Sequence, residues 1–532
     1  MVFATGSLGS AAEPLPARRK LAAGTFQPTW ESLAANYQCP EWFRDAKLGI
    51  WAHWSAQCVP EEGDWYARNM YMQGNRQYNA HVAKYGHPSE FGFMEIYNLW
   101  KADRWEPEKL MQLYADAGAK YFVAMANHED NFDAYDSRYH DWNSVRVGPH
   151  RDIIGTWAKV ARVHGLRFGV SNHSSHAWHW YQTAYGYDAE GPKAGARYDA
   201  FRLTKADGKG KWWEGLDPQD LYVGPSPGMV MPDGITSMKA AREWHDAHNL
   251  PWTEAPPPDN ELFVNRWFFR LQDLLDKYEP DFLYLDNTEL PLGQAGLDIA
   301  AHFYNANAAR HGGRLEAVLT AKGVREERRP AVVQDYERSV SNGGIQPRPF
   351  ETGTCIGQWH YKKDIVYKTV GQVVRTLVDV ASKNGTLLLS IPQRGDGTID
   401  DREVAFLQGL AMWTKVNGEG IFGSRPWLVF GEGPTQVPRG RAGDGVIPYT
   451  KEDLRFTTKG GKIYIFLLAE PAGPVVVKSL GLDAATGKRV QGIALVGSDE
   501  AVRWQQDAAA LHIEQPAHLP STDVISYRVT VE

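Results

Sequence analysis

A chain of 532 residues is longer than one hydrophobic core usually supports, so a large domain with a smaller companion is expected. Hydrophobic residues at 43% and charged residues at 23% match an ordinary globular protein and exclude a disordered or collagen-like chain. The net charge of -7 offers no basic footprint for polyanions, so neither nucleic acid nor an acidic membrane surface is an expected partner.

The first segment, 1–28, has small residues and prolines but no apolar core of a signal peptide, and reads as a flexible tail. Short apolar or β-branched runs follow at 48–55 (LGIWAHWS), 121–128 (YFVAMANH), 167–174 (RFGVSNHS), 282–287 (FLYLDN), 331–337 (AVVQDYE) and 385–392 (GTLLLSIP). Amphipathic helical patterns at 107–117, 152–164, 261–278 and 365–382 alternate with them. Strands alternating with helices make a parallel sheet, and this much of it over 29–425 predicts a (β/α) barrel with insertions. The stretch 185–250, rich in Gly, Asp, Lys and Pro, reads as a long loop at the barrel mouth. From Trp427 onward the pattern changes to short alternating strands between Gly, Pro and Asp turns, which predicts an all-β sandwich over 426–532.

Each strand run ends in a residue able to do chemistry: His53, His128, Asn172 and His173, Asp286, Glu337. A barrel gathers such ends at its C-terminal face, where active sites form. Asp286 closes an apolar strand and suits a nucleophile or base, although an aspartate there equally serves as a helix cap or ion-pair partner. Glu337 is its expected partner across the mouth, with Asp335 turned to the other face; Glu351 and Glu289 compete for the same role. The gap between two such carboxyls decides the stereochemistry, about 5–5.5 Å allowing a covalent sugar–enzyme intermediate and roughly 6.5–9.5 Å leaving room for water.

His173, His176 and His179 recur every third residue and raise a metal site, with Glu129 as a further ligand. That spacing drifts off a single helix line and follows a strand directly, so the preferred reading has no metal. His53, Trp54, Asp64, Trp65, His128, Glu129, Asn172, His173 and Trp359 instead supply donors, acceptors and flat faces for a polyol. Twenty tryptophans suit that role. No GxSxG elbow, phosphate loop or dinucleotide fingerprint occurs, and no cofactor is expected. Cys39, Cys58 and Cys355 form neither a CxxC pair nor a disulfide framework.

Taken together, LGIWAHWSAQCVPEEGDWYARNMY, AGAKYFVAMANHEDNFDAYDS, HGLRFGVSNH, EPDFLYLDN and NGTLLLSIPQRGDGTI resemble the core motifs of the α-L-fucosidases of glycoside hydrolase family 29. YTKEDLRFTTKGGKIYIF is similar to the opening of that family's C-terminal β-sandwich. The resemblance implies a retaining exo-glycosidase acting on α-linked L-fucosides, with Asp286 as nucleophile and Glu337, or alternatively Glu351, as acid/base. It also implies His53, Trp65 and His128 as sugar ligands, a fucosylated or L-galactosylated carbohydrate as partner, possible homo-oligomerisation, and action in the periplasm or outside the cell. The chain departs from the family pattern at Asp64, in Glu129 after His128, at Ser171 and Asn172, and at Asn287 and Thr288. These changes make the pocket more polar. L-Galactose is L-fucose with an added 6-hydroxyl, so α-L-galactosidase activity is a competing expectation. A sugar-binding protein on a retired hydrolase barrel is a third.

Overall fold

A computed structural model of the protein describes residues 11–339, 343–438, 440, 444–521 and 523–532. Eight parallel strands close into a barrel in simple sequential order. They are β1 Leu48–Ala52, β2 Tyr121–Asn127, β3 Arg167–Asn172, β4 Phe282–Thr288, β5 Val318–Lys322, β6 Val333–Asp335, β7 Phe350–Cys355 and β8 Gly385–Ser390. Closure comes from β1 pairing with β8, with Leu48 opposite Leu387 and Trp51 opposite Ser390. All the expected strands are present, and the structure adds β5 and β7.

The β7 segment reads as a loop because FETGTC carries three polar side chains in six residues, yet every residue of it is buried. In a closed barrel, alternate side chains point inward, and there polar groups can pair with one another instead of with water. Asp335 is one such inward group: its carboxylate accepts the Tyr284 hydroxyl at 2.8 Å and the Gly353 amide at 2.9 Å. The expected opposition of Asp335 and Glu337 across one strand does not arise, because β6 ends at Asp335 and Glu337 lies in the turn beyond it, where it meets Lys322 at the strand ends. Gly49 in β1 has a specific packing reason: a Cβ there would stand 2.2 Å from the ring of Tyr121, which crosses the barrel floor.

The expected helices flank the strands. Pro107–Asp116, Ile153–Val163 and Glu261–Tyr278 follow the apolar period closely, and Asp152 and Asn260 cap the last two. The last predicted helix begins later than the pattern suggests, at Val370, where Thr369 and Gln372 form a reciprocal cap. Residues 11–28, expected as a flexible tail, lie against the barrel. Arg19 pairs with Asp298 at 3.0 Å, and the amides of Ala22 and Phe26 donate to His302 and Asn305, all on helix Gln294–Arg310. Residues 1–10 of that tail lie outside the described residues. The 185–250 stretch is not bare loop either: it holds the helix Met238–His248, capped by Ser237.

After helix Asp401–Asn417 the chain enters β9 Arg425–Glu432, β10 Leu454–Lys459, β11 Lys462–Leu467, β12 Val475–Val477, β13 Val490–Leu495, β14 Trp504–Gln506, β15 Leu511–Ile513 and β16 Ile525–Val531. These form a five-stranded sheet, β13-β16-β11-β10-β9, and a three-stranded one, β12-β15-β14. Trp427, Phe456, Ile465 and Tyr527 of the first pack with Val477, Leu511 and Ile513 of the second in a common core. No helix among the described residues is long and apolar enough to cross a membrane.

A buried ionic cluster joins the two units. Asp379, on the barrel helix Val370–Ser382, accepts Arg455 Nε of β10 at 2.5 Å and Lys383 Nζ at 2.8 Å, and all three are buried. Asp379→Ala leaves the buried Arg455 without its anion, and is expected to cost about 3–5 kcal/mol in chemical unfolding. A variant as stable as the wild type would show that solvent or a rearranged partner satisfies Arg455.

Candidate functional site

A cleft of about 530 Å³ opens at the C-terminal end of the barrel. Its floor is Trp51, His53 and Tyr284, and its walls include Asp64, Trp65, His128, Glu129, His173, Asp286, Lys322, Glu337 and Trp359. A larger cavity of about 960 Å³ lies at the opposite end, lined by Asp45, Arg167 and Glu316 near the strand starts. Barrels carry their chemistry on the C-terminal face, and the convergent carboxylates and imidazoles are there too.

Asp286 and Glu337 both reach the ammonium of Lys322, Glu337 at 2.6 Å. The three residues come from the ends of β4, from β5 and from the turn after β6, so neighbouring strands deliver them side by side. His173 Nδ1 lies 3.5 Å from the other oxygen of Asp286. Burial would raise the Asp286 pKa, but the Lys322 charge and His173 hold it well below the usual carboxylate range. Burial likewise works against the charge on Lys322, and Asp286 and Glu337 push its pKa above the ordinary value. Asp286 is therefore ionised at neutral pH.

Around this pair stand imidazoles that burial keeps uncharged: the pKa values of His53, His128, His173 and His360 are all lowered, desolvation being the main cause. A neutral imidazole offers one donor and one acceptor, the complement a sugar hydroxyl wants. His53 Nδ1 and His173 Nε2 are buried without a hydrogen-bond partner, so both have capacity to spare for a ligand. Burial raises Glu129, which touches His128 Nδ1, to about 7. Asp64 accepts the His360 amide at 2.6 Å, which fixes the segment carrying Trp359. Trp65 and Arg338, both on the cleft wall, have left-handed backbone with φ of 63° and 46°. Such strain costs on the order of 1–3 kcal/mol per residue and tends to gather at functional sites.

Three expected site residues fall outside the cleft. Trp54 is buried behind it, donating to the Arg394 carbonyl at 2.8 Å and packing on Trp100 and Trp105. Asn172 points away from it, accepting Trp267 Nε1 at 3.0 Å, because the inward direction at the end of β3 belongs to Ser171 and His173. Glu351 sits on the barrel floor, fully buried, with the Tyr121 hydroxyl at 3.0 Å; burial and the Asp335 charge raise its pKa well above the carboxylate range. It does not line the cleft, so it is not placed to serve as acid/base. Glu289 is occupied by Arg325 and Arg328. The three-histidine metal face is not formed: His176 turns to Glu254 and His179 to the Asn249 carbonyl. A different set, His53, His128 and His173, brings possible ligand atoms within 4.8 Å of one another. Trp178 and Trp180 are buried rather than facing the cleft.

Lys322, Tyr284, Trp51, Trp252, Asn69 and Arg338 line the cleft without having been expected, and Thr288 lines it as one of the expected polar departures. Lys322 had a signal: Val318, Thr320 and Lys322 alternate in VLTAK, with the lysine at the strand end.

The sequence model of the alpha-L-fucosidase family matches residues 15–419. The rat tissue alpha-L-fucosidase is 26% identical over 497 residues, 92% of this chain and 87% of the rat protein, and the human tissue enzyme is 24% identical over 97% and 93%. Among solved structures, the Thermotoga maritima alpha-fucosidase in complex with a mechanism-based inhibitor superposes with a TM-score of 0.68 at 25% identity, covering 95% of this chain and all of that one. With the family match spanning the barrel and the relatives spanning both units, the chain belongs to the alpha-L-fucosidase family, glycoside hydrolase family 29.

Proposed function

We propose that this glycosidase removes terminal α-linked L-fucose from carbohydrate chains with retention of configuration, Asp286 acting as nucleophile and Glu337 as acid/base. The observation that carries the reading is the single ammonium reached by both carboxylates. Two hydrogen bonds through one nitrogen keep the bonded oxygens within about 6 Å. That favours the separation of retaining enzymes, about 5–5.5 Å, over the roughly 6.5–9.5 Å of inverting ones.

In the first step ionised Asp286 attacks the anomeric carbon as the bond to the leaving oxygen breaks, and Glu337, entering the step as the carboxylic acid, gives that oxygen its proton. Water then attacks the glycosyl ester while Glu337 takes its proton back, releasing the sugar and the free Asp286 carboxylate. His53, Asp64, Trp65, His128, Glu129, His173 and Trp359 hold the sugar meanwhile. Two carboxyls suffice for this chemistry, and it draws on no cofactor.

Asp286→Ala is expected to abolish hydrolysis of an aryl α-L-fucoside, and Glu337→Ala to slow it while allowing azide to restore turnover on a good leaving group. Near-normal rates for the first variant, or no azide effect on the second, would remove the assignment. Lys322→Met takes away the charge that lowers the Asp286 pKa, so the acid limb of kcat/KM against pH should move up by about 1–3 units. An unmoved limb would mean that Lys322 does not tune the nucleophile.

Buried Glu129, a carboxyl in the sugar cleft, favours a second reading in which the extra hydroxyl of L-galactose is the group recognised. With paired aryl α-L-fucoside and α-L-galactoside substrates, the fucoside is expected to lead by about tenfold or more in kcat/KM. A reversed ratio would establish the second reading.

A further inference from the structure

Glu337 stands outside the regular strands, in the turn that follows β6, so strand pairing alone does not fix its carboxyl. Two backbone bonds hold the residues on either side of it. The Tyr336 amide donates to the Glu351 carbonyl at 2.9 Å and the Arg338 amide to the Gly353 carbonyl at 2.7 Å, both on β7. Arg338 lies in the left-handed region with φ of 46°, a conformation that a residue with a side chain keeps only where its neighbours impose it.

One such neighbour comes from the other unit. Asp444, in the connection between β9 and β10, accepts Arg338 Nε at 2.9 Å on one carboxylate oxygen. Its other oxygen accepts the Thr354 hydroxyl at 2.7 Å and Lys368 Nζ at 2.5 Å. Thr354 belongs to β7, and the Lys368 amide donates to the carbonyl of Ile356, just past the same strand, at 2.8 Å. The Asp444 side chain is only 4% exposed. A buried carboxylate with three donors, two of them cationic, makes strong charge-assisted bonds and holds each donor in one place. Arg338 lines the cleft and Asp444 does not, so any influence of Asp444 on the reaction passes through the arginine.

A general acid works only within hydrogen-bond reach of the oxygen it protonates, and a misplacement of about 1 Å can cost on the order of a hundredfold in rate. We infer that Asp444 is a positioning residue for the acid/base. By gripping Arg338 it sets the turn that aims Glu337 at the leaving oxygen, so the C-terminal unit acts in proton transfer without touching the substrate. The inference rests on the role given to Glu337 above.

The test is the dependence of kcat/KM on the leaving group. That parameter reports the first chemical step, in which a good leaving group departs without a proton and a poor one needs it. Wild type, Glu337→Ala, Asp444→Ala and Asp444→Asn are compared on 2,4-dinitrophenyl and phenyl α-L-fucosides. Glu337→Ala should lose little on the first and about a hundredfold or more on the second. Equal losses there would remove the role of Glu337, and this inference with it. Once Glu337→Ala shows that dependence, Asp444→Ala should lose about tenfold more on the phenyl substrate than on the dinitrophenyl one. Equal losses on both substrates would make Asp444 a prop of the fold at large, and no loss on either would make its grip on Arg338 dispensable; each result overturns the inference while leaving Glu337 in its role. Partial unfolding lowers both rates alike, so it does not imitate the expected ratio. If Asp444→Ala does not fold, Asp444→Asn, of the same shape but uncharged, carries the test: its loss should be about threefold or more larger on the phenyl substrate, and equal losses overturn the inference.

Discussion

Lys322 carries its charge where burial opposes it, and it keeps that charge because two carboxylates converge on it. A buried cation with a single partner would leave the balance of desolvation against attraction unfavourable. Here Asp286 and Glu337 share the ammonium. The same arrangement keeps Asp286 ionised and near Glu337, which is what a two-carboxylate reaction requires. Consecutive barrel strands bring the three residues together, so the site depends on closure of the sheet and on the register of β4, β5 and β6.

The barrel interior is correspondingly polar for a core. Below the cleft, Asp335 is satisfied by Tyr284 and Gly353, and Glu351 by Tyr121, with burial favouring their protonated forms. Trp51 packs, tilted, between these groups and the histidines of the floor, its centroid 4.1 Å from His53 and 4.5 Å from Tyr284. Aromatic rings thus separate a proton-holding lower layer from the cleft above it. The long β3–β4 connection and the C-terminal unit build the outer parts, through Trp252 and Glu254 on one side and Asp444 on the other.

Much of this was legible before folding. FLYLDN announces a buried strand ending in a carboxylate, and LGIWAHWS and YFVAMANH announce strands ending in histidines, because parallel strands buried on both faces read as continuous apolar runs. The strands that escaped notice are those with polar sequences, β5 with Lys322 and β7 with Glu351 turned inward and its two threonines on the opposite face. Their polarity reflects partners from other strands, which no local pattern contains. The same reason misplaced Trp54, Asn172 and Glu351. Each lies in a stretch dense with site residues, but the direction of a side chain within a closed barrel decides whether it meets the cleft, the outer helices or the floor.

By itself, then, the order of apolar runs, helical periods and turn-rich strands determined a barrel followed by a β-sandwich, and strand-end chemistry determined Asp286 and Glu337 as the candidate pair. These are properties of consecutive residues, set by periodicity and by the chemistry of each side chain. Only the tertiary structure decided that Lys322 joins the two carboxylates, that Glu351 belongs to the floor, and that Trp252 comes to stand parallel to Trp65. Those relations hold between residues tens to hundreds of positions apart, and their energies, ionic and dispersive, fall off within a few ångströms, so they exist only once the chain has closed around them.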